Sequence, residues 1–366
     1  MSPTEMHDLN QKSAVRQPAV PFQPVADPAA WTAAELEASG AHLFHLTSAH
    51  VADLDDAIRA VEAGKRPIME ITRDTFALPV LGDALAEIRS QILFGRGFVQ
   101  IRGFPVERYT VEQSAIAFWG LSMHLGERVA SQNAKGHVLG HITDIGQTVH
   151  NPNQRGPYSR DRIPFHVDCC DIVGLLCLKT AVSGGESSVS SSVSVHNEML
   201  RRRPDLVRVL AEPIYRDRRG EIPAGMPSWY KIPVFNYHDG YLSTTIEPTY
   251  IGSASRLPGV PEMTDEQHEA MAVVQQIADE LRLDIAFEPG DMQFLNNHVA
   301  MHTRQAFEDD PEVGRRRHLL RIWLLADGCR PLPRLYFARH GDPDEVRWPG
   351  GIVGPDTVLN APMEPC

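Results

Sequence analysis

Hydrophobic positions in the first quarter of the chain recur with a helical period. Leu54, Ile58 and Val61 lie at positions i, i+4 and i+7 and therefore share one face of a helix. This spacing predicts helical structure over residues 29–65, and a second helix is predicted over residues 82–93. Both helices would bury their apolar face against the rest of the protein.

After residue 96 the pattern changes to that of strands. The segment Phe98–Arg102 alternates outward and inward positions, as in a half-buried strand. Short β-rich segments broken by Gly, Pro and Asn then cover residues 131–261 and return in the last third of the chain. Capping boxes that begin at Thr110 and Thr264 predict a helix after each threonine. The pattern predicts a mainly β fold with flanking helices, of the sandwich or barrel type.

The same patterns divide the chain into four segments. Residues 1–28 contain prolines and polar residues without apolar periodicity, which predicts a flexible N-terminal arm. Residues 29–95 are expected to form a helical region, residues 96–345 the β domain, and residues 346–366 a C-terminal tail.

Composition narrows the class of protein further. The chain has 366 residues and a formal net charge of -12, which opposes attraction to a nucleic-acid backbone. Its longest apolar runs are far shorter than the roughly 20 residues that a membrane-spanning helix needs, and its N-terminus lacks the features of a secretory signal. Its five cysteines form no C-x-x-C pair, which predicts reduced thiols. We expect a cytoplasmic protein without a nucleic-acid or membrane partner, and homo-oligomerisation is left open.

The segment FHVDCCD brings five metal-binding side chains close together in sequence. His166 and Asp168 are two residues apart in an apolar strand, so their side chains project from the same face. Asp171 lies at an odd offset and is expected to point elsewhere. A distant second histidine would complete a 2-His-1-carboxylate site, which suits Fe(II) and O₂. Cys169 and Cys170 are expected to fill space beside such a site.

The C-terminal third carries four more motifs in a fixed order, namely Pro289-Gly290-Asp291, Asn296-Asn297, His302-Thr303-Arg304 and Arg317-His318-Leu319-Leu320-Arg321. Together with the H-x-D pair, this order resembles the taurine dioxygenase and TfdA-like family of Fe(II)/2-oxoglutarate-dependent oxygenases. The resemblance covers roughly residues 90–330. It implies a double-stranded β-helix, or jelly roll, which clavaminate synthase-like enzymes share.

The resemblance also implies the iron ligands. His166, Asp168 and His302 match the family's two histidines and one carboxylate. His298 is a competing histidine, but the family's ligand is the histidine just before T/G-R, and in this chain that residue is His302.

Further residues match the family's binding positions. Arg317 would pair with the distal carboxylate of 2-oxoglutarate, because a planar guanidinium binds a carboxylate through two hydrogen bonds. Ser187 would also contact 2-oxoglutarate, at a position where the family usually has threonine. Arg321 matches an arginine that often meets an anionic substrate group. We also expect Asn133 and Lys135, in the polar run SQNAKG, to line the substrate mouth.

The reaction implied by the resemblance couples oxidative decarboxylation of 2-oxoglutarate, to succinate and CO₂, with C–H oxidation of a small polar or anionic metabolite. Fe(II), 2-oxoglutarate and O₂ would be required. Related halogenases have a small residue at the Asp168 position, so the carboxylate favours hydroxylation, desaturation or cyclisation. Two alternatives stay open from the residues alone: a non-catalytic metal-binding jelly roll, and a zinc site built from the same ligands.

Overall fold

The computed structural model describes residues 15–151, 156–344 and 351–365. In this part of the chain, strands β1 to β17 are, in order, Leu43–His45, Phe98–Arg102, Arg128–Val129, Leu139–Ile142, Ile163–His166, Ile172–Lys179, Ser183–Gly184, Ser187–Ser191, Ile214–Asp217, Trp229–Ile232, Phe235–His238, Tyr241–Thr244, Leu283–Ile285, Met292–Asn296, Ala300–Arg304, Phe307–Glu308 and His318–Leu325. Helices α1 to α8 are Ala33–Ser39, Ser48–Ala63, Gly82–Leu93, Val111–Ser122, Ser192–Arg202, Pro204–Leu210, Pro248–Gly252 and Asp265–Glu280.

Two sheets pack against each other at the centre of the fold. The larger sheet has the order β1-β2-β14-β6-β17-β3, with β4 also paired to β17, and the smaller has the order β13-β8-β15-β5. Val173 and Trp323 of the larger sheet share one buried cluster with Val189 and Ala300 of the smaller sheet. The side chains between the sheets therefore form a sandwich core.

Strand β17 shows how the two faces of the larger sheet differ. Leu320, Ile322 and Leu324 lie in a cluster with the apolar faces of α2, α3 and α4. The alternate residues Arg321 and Trp323 point into the space between the sheets. Because successive side chains of a strand point to opposite faces, one strand serves both the helical layer and the site.

A second helical layer covers the smaller sheet. Helices α5, α6 and α8 pack their apolar side chains on Phe165 of β5 and Met301 of β15. Gln275 of α8 binds both backbone groups of Phe165, accepting from its N–H at 2.9 Å and donating to its carbonyl oxygen at 2.8 Å. These two bonds hold β5, the strand that ends at His166, against α8. No helix in the described part of the chain is long and apolar enough to cross a lipid bilayer.

Two features differ from the pattern-based expectations. Residues 29–65 contain strand β1 between two helices, and β1 pairs in parallel with β2. The arm expected over residues 1–28 lies partly outside the described residues, and much of its described portion is exposed, but its end is packed: Val25 and Asp27 are buried, and Asp27 forms an ion pair of 2.7 Å with Arg330. Both contacts join residues far apart in sequence, so local periodicity carries no signal for them.

Candidate metal centre

Three possible metal ligands meet where β5 ends beside β15. The register of these strands places His166 opposite His302, and their ring centroids are 4.2 Å apart. Asp168 lies in the turn that follows β5, with its Oδ2 3.9 Å from Nε2 of His302. One ligand atom from each of the three residues lies within 4.8 Å of the others. The residues predicted as iron ligands are therefore brought together by the fold.

Both imidazoles are held in the neutral form that metals bind. Burial lowers the pKa of His302 to about 3, and the neighbouring His166 adds to this effect. Burial also lowers the pKa of His166. The Nδ1 atom of His166 donates to the carbonyl oxygen of Pro164 at 2.9 Å, so its Nε2 carries the lone pair.

The Asp168 carboxylate is held in its charged form. Burial alone would raise its pKa, but the positive charge of Arg321, together with the hydrogen bond from Trp323, outweighs burial and leaves the pKa below the usual value. Arg321 Nη1 lies 3.5 Å from Oδ2, and Trp323 Nε1 donates to the same oxygen at 3.0 Å. Two neutral histidines and one carboxylate make the donor set of a non-heme iron site.

The backbone of the metal turn is held by the second asparagine of the N-N motif. Asn297 Oδ1 accepts the N–H of Asp168 at 2.9 Å, and its Nδ2 donates to Cys170 Sγ at 3.2 Å. The backbone N–H of Val167 donates to the carbonyl oxygen of Ile246 at 3.0 Å, just after β5 ends at His166. Sequence patterns gave no sign of the roles of Asn297 and Trp323, since both depend on contacts across the sandwich.

The competing histidine lies in a separate cluster. His298 is fully buried, and its Nε2 is 2.8 Å from Oδ1 of Asp171, whose Oδ2 accepts the Ala326 N–H at 3.0 Å. Cys329 completes this group. As expected, Asp171 points away from His166 and Asp168.

The predicted 2-oxoglutarate residues lie at the start of β8 and just before β17. Arg317 is buried, which lowers its pKa to about 10, and its Nη1 has no hydrogen-bond partner among the described residues. Gly185 borders it and has a φ of 74°, in the left-handed region that favours glycine, and a Cβ there would lie 3.1 Å from Arg317 Nε. Ser187 is buried two residues further along, at the start of β8. A buried guanidinium with an unused donor suits a carboxylate ligand.

The polar run SQNAKG does not meet the cavity through the residues predicted. Asn133 Oδ1 accepts the N–H groups of Lys135 and His137 at 3.0 and 3.3 Å, which closes a turn, and Lys135 is exposed. The neighbouring Gln132 points inward instead, and its Oε1 accepts from Arg321 Nε at 2.7 Å. The expectation that Asn133 and Lys135 line the mouth is corrected accordingly, because a polar run alone does not reveal which side chain turns inward.

A cavity opens beside two of these residues, His166 and Asp168. Its lining includes His166, Asp168, Arg321 and Trp323 from the site, and Cys169 with a buried carboxylate, Glu247, from the opposite wall. Glu247 is held by two buried arginines: its Oε2 lies 2.9 Å from Arg216 Nε, and its Oε1 contacts Arg339. Cys169 Sγ lies 2.8 Å from Arg339 Nη2, so this thiol belongs to the wall and not to the ligand cluster.

Sequence comparison identifies the family. The family model described as taurine catabolism dioxygenase TauD, TfdA family matches residues 64–323. The chain belongs to the TauD/TfdA family. A relative in this TauD/TfdA group, FR-33289 synthase of Streptomyces rubellomurinus, is 29% identical over 316 residues, covering 85% of this chain and 93% of that protein. Taurine hydroxylase-like protein SAT17 of Stachybotrys chartarum is 32% identical, covering 82% of this chain and 80% of that protein.

The fold of this TauD/TfdA member is found in solved oxygenase structures. Asparagine oxygenase in complex with Fe(II), a hydroxyasparagine and succinate superposes with a TM-score of 0.61 at 16% identity, over 78% of this chain and 93% of that chain. The predicted family and the mainly β jelly roll with flanking helices are confirmed. The chain is an Fe(II)/2-oxoglutarate-dependent oxygenase that acts on a small molecule and requires Fe(II), 2-oxoglutarate and O₂.

Proposed function

We propose that His166, Asp168 and His302 bind the Fe(II) of this oxygenase. The observation that carries the proposal is the meeting of two neutral imidazoles and one ionised carboxylate within 4.8 Å, next to a cavity that His166 and Asp168 line. Iron held by these three groups keeps positions open and supplies the oxygen chemistry. The chain's own residues hold the ligands, orient the substrate and limit the access of water.

Arg317 and Ser187 are proposed to bind 2-oxoglutarate. Support comes from the buried, unpaired Nη1 of Arg317 and from the absence of a side chain at Gly185, which leaves room beside it. The co-substrate would then span the space from this end of the sandwich to the metal ligands. A zinc site would offer no role for such an arginine.

A binding experiment tests these assignments together. Under anaerobic conditions, adding Fe(II) and 2-oxoglutarate to the wild-type protein is expected to produce a visible charge-transfer band. Arg317→Met should weaken 2-oxoglutarate binding about 10- to 100-fold, since a charged hydrogen-bond partner is lost. The exposed Arg315→Met is the matched control and should bind normally. No band with the wild type, and no succinate in air, would favour the non-catalytic or zinc alternatives.

Trp323→Phe tests how the ligand carboxylate is held. Phenylalanine keeps most of the ring volume but removes the N–H that donates to Asp168, so we expect iron affinity to fall about 10-fold, in line with loss of other outer partners of metal ligands. Titration with Fe(II) measures the iron affinity. Trp119→Phe removes a comparable bond, from Trp119 Nε1 to the Ile71 carbonyl at 3.2 Å, far from the site. Equal iron affinities for the two variants would contradict the proposed role.

The substrate is proposed to be a small polar or anionic molecule that occupies the cavity. The lining includes the guanidiniums of Arg219 and Arg321 and the carboxylates of Asp168 and Glu247. Two further arginines contact Glu247, so guanidiniums outnumber carboxylates around this space. The description of the family names taurine, which is a small sulfonate. In this proposal Arg321 contributes positive charge beside Asp168, and hydroxylation, desaturation and cyclisation are the outcomes that the carboxylate ligand favours.

We further propose a cytoplasmic location and a small molecule as the partner, with no role in nucleic-acid or membrane binding. Cys169, Cys170, Cys177 and Cys329 are free thiols, as is usual in a reducing compartment. The formal net charge of -12 disfavours binding to a phosphate backbone.

A further inference from the structure

A second buried arginine, Arg304, lies on the same face of β15 as the iron ligand His302. The two residues are separated by one position, so strand alternation points both side chains into the space between the sheets. The register of β15 and β8 places Arg304 opposite Ser187. Arg304 therefore lies at the end of the site where the 2-oxoglutarate residues are found.

The charge of Arg304 is incompletely paired. Its Nη2 donates to the carbonyl oxygen of Asp161, but its Nε and Nη1 are buried without a hydrogen-bond partner among the described residues. The Asp161 carboxylate is engaged elsewhere, because its Oδ2 accepts from Thr148 Oγ1 at 2.6 Å and from the Val149 N–H at 2.9 Å. Only 6% of Arg304 is exposed. Burying a charge with unused donors is unfavourable unless a ligand satisfies them.

Arg304 and Arg317 flank one aromatic ring. The guanidinium carbon of Arg304 lies 4.9 Å from the centroid of Phe307, and that of Arg317 lies 5.3 Å from the same centroid. Neither arginine forms an ion pair within the described ranges. Asp309 accepts from the backbone N–H of Arg317 at 2.6 Å. Burial, and then the positive charge of Arg317, lower the pKa of Arg304, so the two guanidiniums repel each other, and an anion bound between them would offset this repulsion.

We propose that Arg304 and Arg317 together bind the distal carboxylate of 2-oxoglutarate. The inference rests on the proposed function of the site and extends it, because the family resemblance implies Arg317 for this role and leaves Arg304 without one. The unused Nε and Nη1 of Arg304 and Nη1 of Arg317 are the donors. A second guanidinium gives the enzyme its selectivity for a 2-oxo acid with two carboxylates over one with a single carboxylate.

The test compares two probes in two proteins. The dissociation constants of 2-oxoglutarate and 2-oxopentanoate are measured anaerobically with Fe(II) by titration of the visible band. The second acid has a methyl group where the first has its distal carboxylate. In Arg304→Met we expect 2-oxoglutarate to bind about 10- to 100-fold more weakly, and 2-oxopentanoate to bind as it does to the wild type. Arg315→Met, which changes an exposed arginine of the loop before β17, should match the wild type with both acids.

Three outcomes would overturn the proposal. Unchanged affinity of Arg304→Met for 2-oxoglutarate shows that Arg304 does not bind the distal carboxylate. An equal loss of affinity for both acids shows that Arg304 only anchors the segment that contains Asp161. If Arg304→Met does not fold, Arg304→Gln, which keeps a donor for the Asp161 carbonyl oxygen, is tested with the same two acids. An unchanged ratio of the two dissociation constants in that variant rejects the proposal. A wild-type protein that gives no band with Fe(II) and 2-oxoglutarate would instead reject the proposed function itself.

Discussion

Replacing His302 with alanine is expected to abolish iron binding and oxygenase turnover while leaving the fold intact. His302 is one of the three proposed ligands, and loss of a ligand should exceed the 10- to 100-fold effect that loss of an outer partner typically has. Succinate formation should therefore fall by at least about 100-fold. Its side chain makes no hydrogen bond through Nδ1 among the described residues, so the metal-free protein loses little stability. Fe(II) titration, succinate assay and denaturant unfolding measure the three quantities.

The matched variant is His298→Ala, which should lower the stability of the fold and leave iron binding intact. Its imidazole fills a buried position and bonds to Asp171, so its removal leaves a buried carboxylate oxygen without a partner. We expect the free energy of unfolding to fall by roughly 2 kcal/mol, while iron binding per folded molecule is retained. If His298→Ala lost iron and His302→Ala kept it, the ligand assignment would be reversed.

Glu247→Ala is expected to lower the free energy of unfolding by about 3–5 kcal/mol, because it leaves Arg216 and Arg339 as buried charges without their carboxylate. Both arginines are almost fully buried, with side-chain exposures of 0% and 1%. The hydroxyl of Tyr230 also loses its acceptor, which lies 3.4 Å away in the native protein. Chemical denaturation of the metal-free protein measures the change.

Glu312→Ala provides the comparison for this loss. Glu312 pairs with Arg315 at 3.1 Å, but both side chains are about two-thirds exposed, at 66% and 67%. Exposed pairs of this kind contribute at most about 1 kcal/mol. A similar loss in the free energy of unfolding for Glu247→Ala and Glu312→Ala would show that the stability of the protein does not depend on the buried pairs of Glu247 with Arg216 and Arg339.

Local sequence patterns predicted the elements that local interactions determine. The helix expected over residues 82–93 matches Gly82–Leu93, and the capping boxes at Thr110 and Thr264 are both formed. Strand β1 was not predicted, because its stability comes from pairing with β2 more than fifty residues later in the sequence. Helical periodicity in the segments on either side of β1 concealed it.

The site shows the same division between local and distant information. The spacing of His166 and Asp168 correctly indicated that their side chains lie close together, although Asp168 lies in the turn beyond β5 and not in the strand itself. The polar run SQNAKG indicated a functional segment, but the residue that turns inward is Gln132, whose partner Arg321 is far away in sequence. Contacts of this kind depend on sheet packing and therefore require the three-dimensional structure.

The pairing of β5 with β15 also determines when during synthesis the site can exist. His166 and Asp168 leave the ribosome long before His302, and Trp323, which holds Asp168, follows later still. The sheet that joins them consists of contacts between distant parts of the chain, which form late in folding. A nascent chain that ends before β15 has two of the three proposed ligands, and one that ends before β17 has all three but lacks Trp323, which holds the carboxylate. We therefore expect iron to be loaded at the proposed site only after nearly the whole protein has been synthesised.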